Sequence, residues 1–180
     1  MIRAALACAA ALLAAAPAAH AELEFNPAEV RVQGCLMAVS EIYRLPPALI
    51  LILLKVEGGR LGAVTGNTNA TVDIGPMQVN TIWVPVIAKH WHTTADRAYA
   101  ALRDNFCANL EGGAWILRQA LDEAHGDFWG GVAIYHSHNP VHQKAYLRNV
   151  LDWTVRLRDQ SRRTSPAAPS SSASVEEARR

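Results

Sequence analysis

The chain has 180 residues and an apolar fraction of 51%, enough for one domain with a core and short for two. Seventeen Lys+Arg face sixteen Asp+Glu. That balance supplies no basic field for nucleic acid or an anionic membrane, so neither is expected as a partner.

Residues 1–21 read as a cleavable secretory signal. Arg3 forms a short positive start, Ala4 to Ala16 an uncharged apolar run, and Ala19-His20-Ala21 a small-x-small cleavage pattern. The run is too short for a bilayer, which needs about 20 apolar residues. Periplasmic or secreted localisation is therefore expected, without stable membrane insertion. Cleavage after Ala21 would remove Cys8 and Arg3, leaving equal numbers of acids and bases. It would also leave Cys35 and Cys107 as an even pair. In an oxidising compartment such a pair favours a disulfide. Two buried free thiols are the alternative. A metal site is disfavoured, because neither cysteine belongs to a close C-x-x-C or C-x-x-H pair.

Helices follow in order. Asn26-Pro27 predicts a helix start, with Val32, Cys35, Leu36, Val39 and Ile42 at helical spacing up to about Arg44. Pro46-Pro47 opens a second helix to Val56 or Glu57, apolar nearly all round and so expected in a core. Gly58-Gly59 ends it. Residues 60–71 read as a loop or short hairpin, and 72–80 as extended or turning. Further helical segments are expected at about 80–90, 94–103, 105–125, 127–137 and 140–160. The expected fold is mostly α, with a small β element near 62–75. Residues 22–160 would form the domain. Residues 161–180 contain a Ser-, Ala- and Pro-rich run followed by charged residues and are expected to be a disordered tail.

Three blocks could carry chemistry. Glu57 closes the most apolar helix, after Leu53, Leu54 and Val56. Desolvation there raises a carboxyl's pKa, which is what a general acid needs near neutral pH. The helix dipole also presents its negative end, so a purely structural role is unfavourable. The second block, Asp73-Ile74-Gly75-Pro76-Met77-Gln78-Val79-Asn80, sets Gln78 and Asn80 beside a tight turn. Its amides suit sugar hydroxyls and N-acetyl groups, and Met77 offers a pliable apolar contact. The third, Ala133-Ile134-Tyr135-His136-Ser137-His138-Asn139, offers Tyr135 to Glu57 or to a sugar. His136, His138 and His142 raise the question of a metal. Pro140 between His138 and His142 breaks the helical i, i+4 pairing that zinc peptidases use, and no metal is expected.

Taken together, these blocks resemble the lytic transglycosylase family with its goose-lysozyme-like (SLT) domain. The small specialised members that accompany secretion, conjugation and pilus machines are the nearest in pattern. The family's Glu-Ser helix end is matched by Val56-Glu57-Gly58-Gly59, and its G-L-M-Q-x-N block by Gly75-Pro76-Met77-Gln78-Val79-Asn80. Its later tyrosine is matched by Tyr135, and its final-helix tyrosine by Tyr146. The similarity runs from about Cys35 to Val150, and the Cys35 and Cys107 pair fits the subgroup.

The resemblance implies a single lysozyme-like helical domain that cleaves peptidoglycan glycan strands, with no cofactor. Glu57 would serve as acid and then base, forming a 1,6-anhydro sugar. Tyr135 and Gln78 would position Glu57 and the N-acetyl group. Met77, Asn80, Tyr146 and Gly75 would line the substrate site. It further implies a monomer serving a secretion, conjugation or pilus machine. Gly58 in place of serine predicts lowered activity, and Pro76 in place of leucine a stiffer turn. Two rival readings stand beside it. One is a hydrolytic muramidase using Asp73 as second carboxylate. The other is a catalytically weak glycan-binding component of a secretion machine.

Overall fold

The computed structural model describes residues 26–164, so the signal reading of 1–21 lies outside the described residues. Among the described residues, seven α-helices accompany a three-stranded antiparallel sheet: α1 Pro27–Tyr43, α2 Pro47–Glu57, β1 Val64–Gly66, β2 Val72–Ile74, β3 Val79–Asn80, α3 Val84–His90, α4 Ala95–Asp104, α5 Phe106–Glu123, α6 Phe128–His136 and α7 Pro140–Thr164. A short 3-10 turn, Thr81–Trp83, joins β3 to α3. The expected mostly α fold with a small β element is what forms. No single helix among the described residues is long and apolar enough to cross a membrane.

Local chemistry sets the helix ends. Asn26 accepts from the Ala28 N–H at 3.0 Å and opens α1. Asn105 accepts from the N–H groups of Cys107 and Ala108 and opens α5. Such caps satisfy donors that have no partner inside the helix. Two expectations need correcting. In α1, Val32 and Ile42 point outward, at 42% and 65% exposure. The inward stripe is narrower, because α1 meets α5 and α2 through Cys35, Leu36, Val39 and Tyr43. In α7, the helix continues through residues 161–164, which were expected in the tail. The Thr164 hydroxyl donates to the Gln160 and Ser161 carbonyls, and Arg162 and Arg163 oppose the negative end of the dipole. The rest of the expected tail lies outside the described residues.

The core runs through Ile50, Leu53, Ile74, Ile87, Leu102, Leu110, Leu117, Val132 and Val150, all essentially inaccessible to solvent. Helix α5 crosses its middle and packs against α1, α4 and α6, while α7 lies on α2 and α6. Cys35 and Cys107 form a disulfide between α1 and α5, with Cα atoms 5.3 Å apart and a sequence separation of 72. Closing so long a loop stabilises the fold by about 4 kcal/mol on the chain-entropy account. In the sheet, β2 pairs with both neighbours, placing Asp73 opposite Thr65 on one side and Asn80 on the other.

Candidate active site

Helix α2 delivers Glu57. Pro46-Pro47 starts the helix, Leu49, Ile50 and Leu53 anchor it in the core, and Gly58 stops it with φ +63°. The Gly58 N–H returns to the Leu54 carbonyl at 3.2 Å, a left-handed cap that glycine adopts without a Cβ penalty. Gly59 then lies so close to the β2–β3 turn that a Cβ would meet the Gly75 carbonyl oxygen at 2.0 Å and the Gln78 amide at 2.5 Å. The paired glycines thus press the end of α2 against the turn.

That turn, Gly75 to Gln78, is fixed from below by a residue the sequence reading passed over. Asn109 of α5 is fully buried. Its Oδ1 accepts from the Met77 N–H at 2.7 Å, and its Nδ2 donates to the carbonyls of Ile74 at 2.8 Å and Leu102 at 2.9 Å. All three amide bonds are spent on the backbone. A lone amide on the apolar face of α5 was the available signal, because a buried polar group must find partners.

Above the turn lies a groove of about 560 Å³. The sheet side contributes Asn67, Asn69, Asp73 and Asn80. The α6–α7 side contributes Tyr135, His136, His138 and His142. Glu57 sits between them. A second hollow, of about 540 Å³ beside Arg44, Arg118 and His125, shares no lining residue with this groove.

Glu57 is largely buried, and its Oε1 accepts a 2.7 Å hydrogen bond from the Tyr146 hydroxyl. Burial pushes its pKa from the ordinary carboxyl value up to about 7. The Tyr146 bond pulls it down, and the negative charge of Asp73 raises it further. Near neutral pH this carboxyl therefore exists in both protonation states, as an acid that must later act as a base requires. Burial also drives the Tyr135 and Tyr146 phenols well above their usual range, with Glu57 adding to the effect, so both remain neutral donors.

The structure rearranges several expected roles. Tyr146, expected on the groove wall, is 4% exposed and is the partner of Glu57. Tyr135, expected to bond Glu57 or a sugar, donates to the Met77 carbonyl at 3.2 Å, not to Glu57, while lining the groove. Met77 reaches the groove floor but is only 1% exposed, its side chain packed against Gly113. It supports the floor rather than offering a face to a ligand. Gly75 is buried within the turn and does not line the groove. Gln78 lines the groove with its Nε2 donating to the Gly75 carbonyl at 2.9 Å. Asn80 donates to Asp73 at 2.7 Å and to Thr71 at 2.9 Å, and its carbonyl oxygen caps the following 3-10 turn. It lines the groove as expected while also holding the sheet and Asp73.

His136 stacks on the Tyr146 ring, with centroids 4.3 Å apart and planes 5° from parallel. His138 pairs with Glu123 at 2.8 Å. Among the described residues, no group of three or more His, Cys, Asp or Glu side chains is placed to hold a metal ion.

Two carboxyls therefore share the groove, one partly buried with its pKa raised to about 7, the other on a strand and fixed by an amide. No protein-family model and no curated protein matches the chain.

Proposed function

We propose that this protein is an exported peptidoglycan lytic transglycosylase of the goose-lysozyme-like kind, with Glu57 as its single acid and base. The observation that carries the reading is the partly buried Glu57 carboxyl, with a pKa pushed up to about 7 and facing a groove rich in amides. The four sequence blocks that resemble the family support it, as does their convergence on the β2–β3 turn. Protonated Glu57 donates to the glycosidic oxygen between N-acetylmuramic acid and N-acetylglucosamine, and the C1–O bond breaks. Ionised Glu57 then takes the proton of the muramic C6 hydroxyl, whose oxygen bonds to C1. No water is consumed, and the product ends in a 1,6-anhydro sugar. The disulfide and the signal-like residues 1–21 support a periplasmic or secreted site of action. Service to a secretion, conjugation or pilus machine belongs to the same proposal and rests on the family resemblance alone.

One observation favours a second reading. Asp73 lines the same groove and acts electrostatically on Glu57, as a second carboxylate in a hydrolase would. Mass spectrometry of fragments released from purified sacculi separates the two. Anhydro-ended fragments support the transglycosylase. Reducing ends, one water heavier, give the reaction to a hydrolase using Asp73. A folded protein that binds sacculi and releases nothing would make it a binding component. Gly58 argues against reading this departure from the family as decay, since its positive φ gives it a capping role.

A further inference from the structure

His136 is the last residue of α6, and hydrogen bonds lace the corner that follows it. The Ser137 N–H returns to the Ala133 carbonyl at 3.1 Å, and the Ser137 carbonyl accepts from the Gln143 side chain of α7 at 2.9 Å. The Ser137 hydroxyl accepts from the Asn139 N–H at 3.1 Å, and the Asn139 side chain accepts from the Val141 N–H at 2.9 Å. These bonds fix the end of α6 against the start of α7. They set the imidazole of His136 flat on the ring of Tyr146, with centroids 4.3 Å apart and planes 5° from parallel. His136 and Glu57 both line the groove, whereas Tyr146, the donor to Glu57, does not. The imidazole is exposed, and the phenol ring stacked on it is buried. Tyr135 approaches the same ring at 6.4 Å with a tilt of 47°.

We infer that His136 is a positioning residue whose flat ring roofs Tyr146 on the groove side, holding its hydroxyl against Glu57 and keeping water from that pair. The inference rests on Glu57 being the acid of the proposed reaction. A stacked ring of similar size restricts the phenol, and a restricted phenol keeps its hydroxyl 2.7 Å from the carboxyl. Desolvation is the first cause of the raised Glu57 pKa, and the Tyr146 bond opposes it. Taking the roof away admits water. The loss of desolvation then outweighs a loosened bond, and the Glu57 titration moves down. Burial first, and then His142 of α7, hold His136 below the ordinary imidazole range against the pull of Asp73, so near neutral pH the ring packs as a neutral aromatic. Asp73 of β2 and Tyr146 of α7 are the groups that act on Glu57 itself.

The test follows the Glu57 carboxyl and turnover together in the parent, His136→Ala and His136→Phe. The carboxyl is titrated by NMR with isotope-labelled glutamate from about pH 4 to about pH 9, and release of fragments from sacculi is measured over the same range. In His136→Ala the Glu57 titration should fall by about one pH unit and the rate at saturating sacculi by roughly tenfold, with the half-saturating amount within about twofold of the parent. His136→Phe puts back a flat ring and should restore the titration and bring the rate to within about threefold. A merely structural role would reduce the yield of folded protein and leave the titration in place. An unmoved titration or saturating rate in His136→Ala overturns the inference, and so does a titration that His136→Phe fails to restore. A half-saturating amount that rises alike in both variants also overturns it and makes His136 a ligand of the substrate. Parent protein that releases nothing, while its Glu57 titration still follows His136 as expected, overturns the glycan reading and leaves the roof standing.

Discussion

Two glutamates of this protein each meet a tyrosine, and their surroundings part them. Glu111 of α5 accepts from the Tyr43 hydroxyl of α1 and from the Trp91 indole beyond α3, with His90 at 3.3 Å. His90 in turn stacks on Trp115. Those donors join three parts of the chain at an interface that the Cys35–Cys107 bridge also spans. Glu57 is given one donor, Tyr146, along with desolvation and the opposing charge of Asp73. A carboxylate supplied with several donors fastens helices together. One kept short of donors beside a second acid holds its proton into the neutral range, and that proton is available for transfer.

The largest effect expected from breaking this contrast is on turnover. Glu57→Gln keeps the side chain's shape and its bond from Tyr146 but removes the transferable proton. Release of fragments from sacculi should fall by about a thousandfold or more. Glu111→Gln should leave release within a few-fold of the parent. Equal losses in the two variants would make Glu57 another structural glutamate.

Next in size is the dependence of stability on pH. The folded-state pKa of Glu57 is raised above its unfolded value, so the folded form holds the proton more tightly. Its contribution is fully favourable below the ordinary carboxyl range and is lost as pH rises through about 7. Glu57→Gln should therefore be more stable than the parent at about pH 8 by about 2–3 kcal/mol, with the difference vanishing near about pH 4. Urea denaturation at the two pH values checks the sign. Glu111→Ala should do the opposite at neutral pH, costing about 2 kcal/mol by stranding its donors.

The smallest effect compares the two tyrosines. Tyr146→Phe removes the bond that lowers the Glu57 pKa, so the alkaline limb of the pH–rate profile should move to higher pH, with a rate loss of roughly three- to tenfold from poorer orientation. Tyr43→Phe should cost about 1 kcal/mol of stability and leave that profile where it was. An unmoved profile in Tyr146→Phe would mean that its hydroxyl does not govern the acid.

How far the chain could be read without its fold depended on the range of the interactions. Helix ends were legible because they depend on neighbours a few residues apart, as with Asn26 and Gly58. The outward turn of Val32 and Ile42 was not, because periodicity names an apolar stripe without saying how much of it a neighbouring helix covers. For the same reason the packing of Met77 on Gly113, which leaves it little exposed, could not be read from its neighbours in the chain.

The sequence by itself determined that Glu57 would lie at the end of an apolar helix, that residues 72–80 would be extended or turning, and that Cys35 and Cys107 were candidates for a disulfide. These follow from propensity, caps and composition along the chain. Only the tertiary structure decided that Tyr146, 89 residues from Glu57, would be its donor in place of Tyr135, and that Asn109 would anchor the turn from 32 residues away. It also decided that Asp73 would be held by Asn80 within reach of the acid's charge. Such meetings depend on how α5 and α7 pack. Packing is fixed by the whole buried surface at once, so a hydroxyl's partner cannot be read from the few residues beside it.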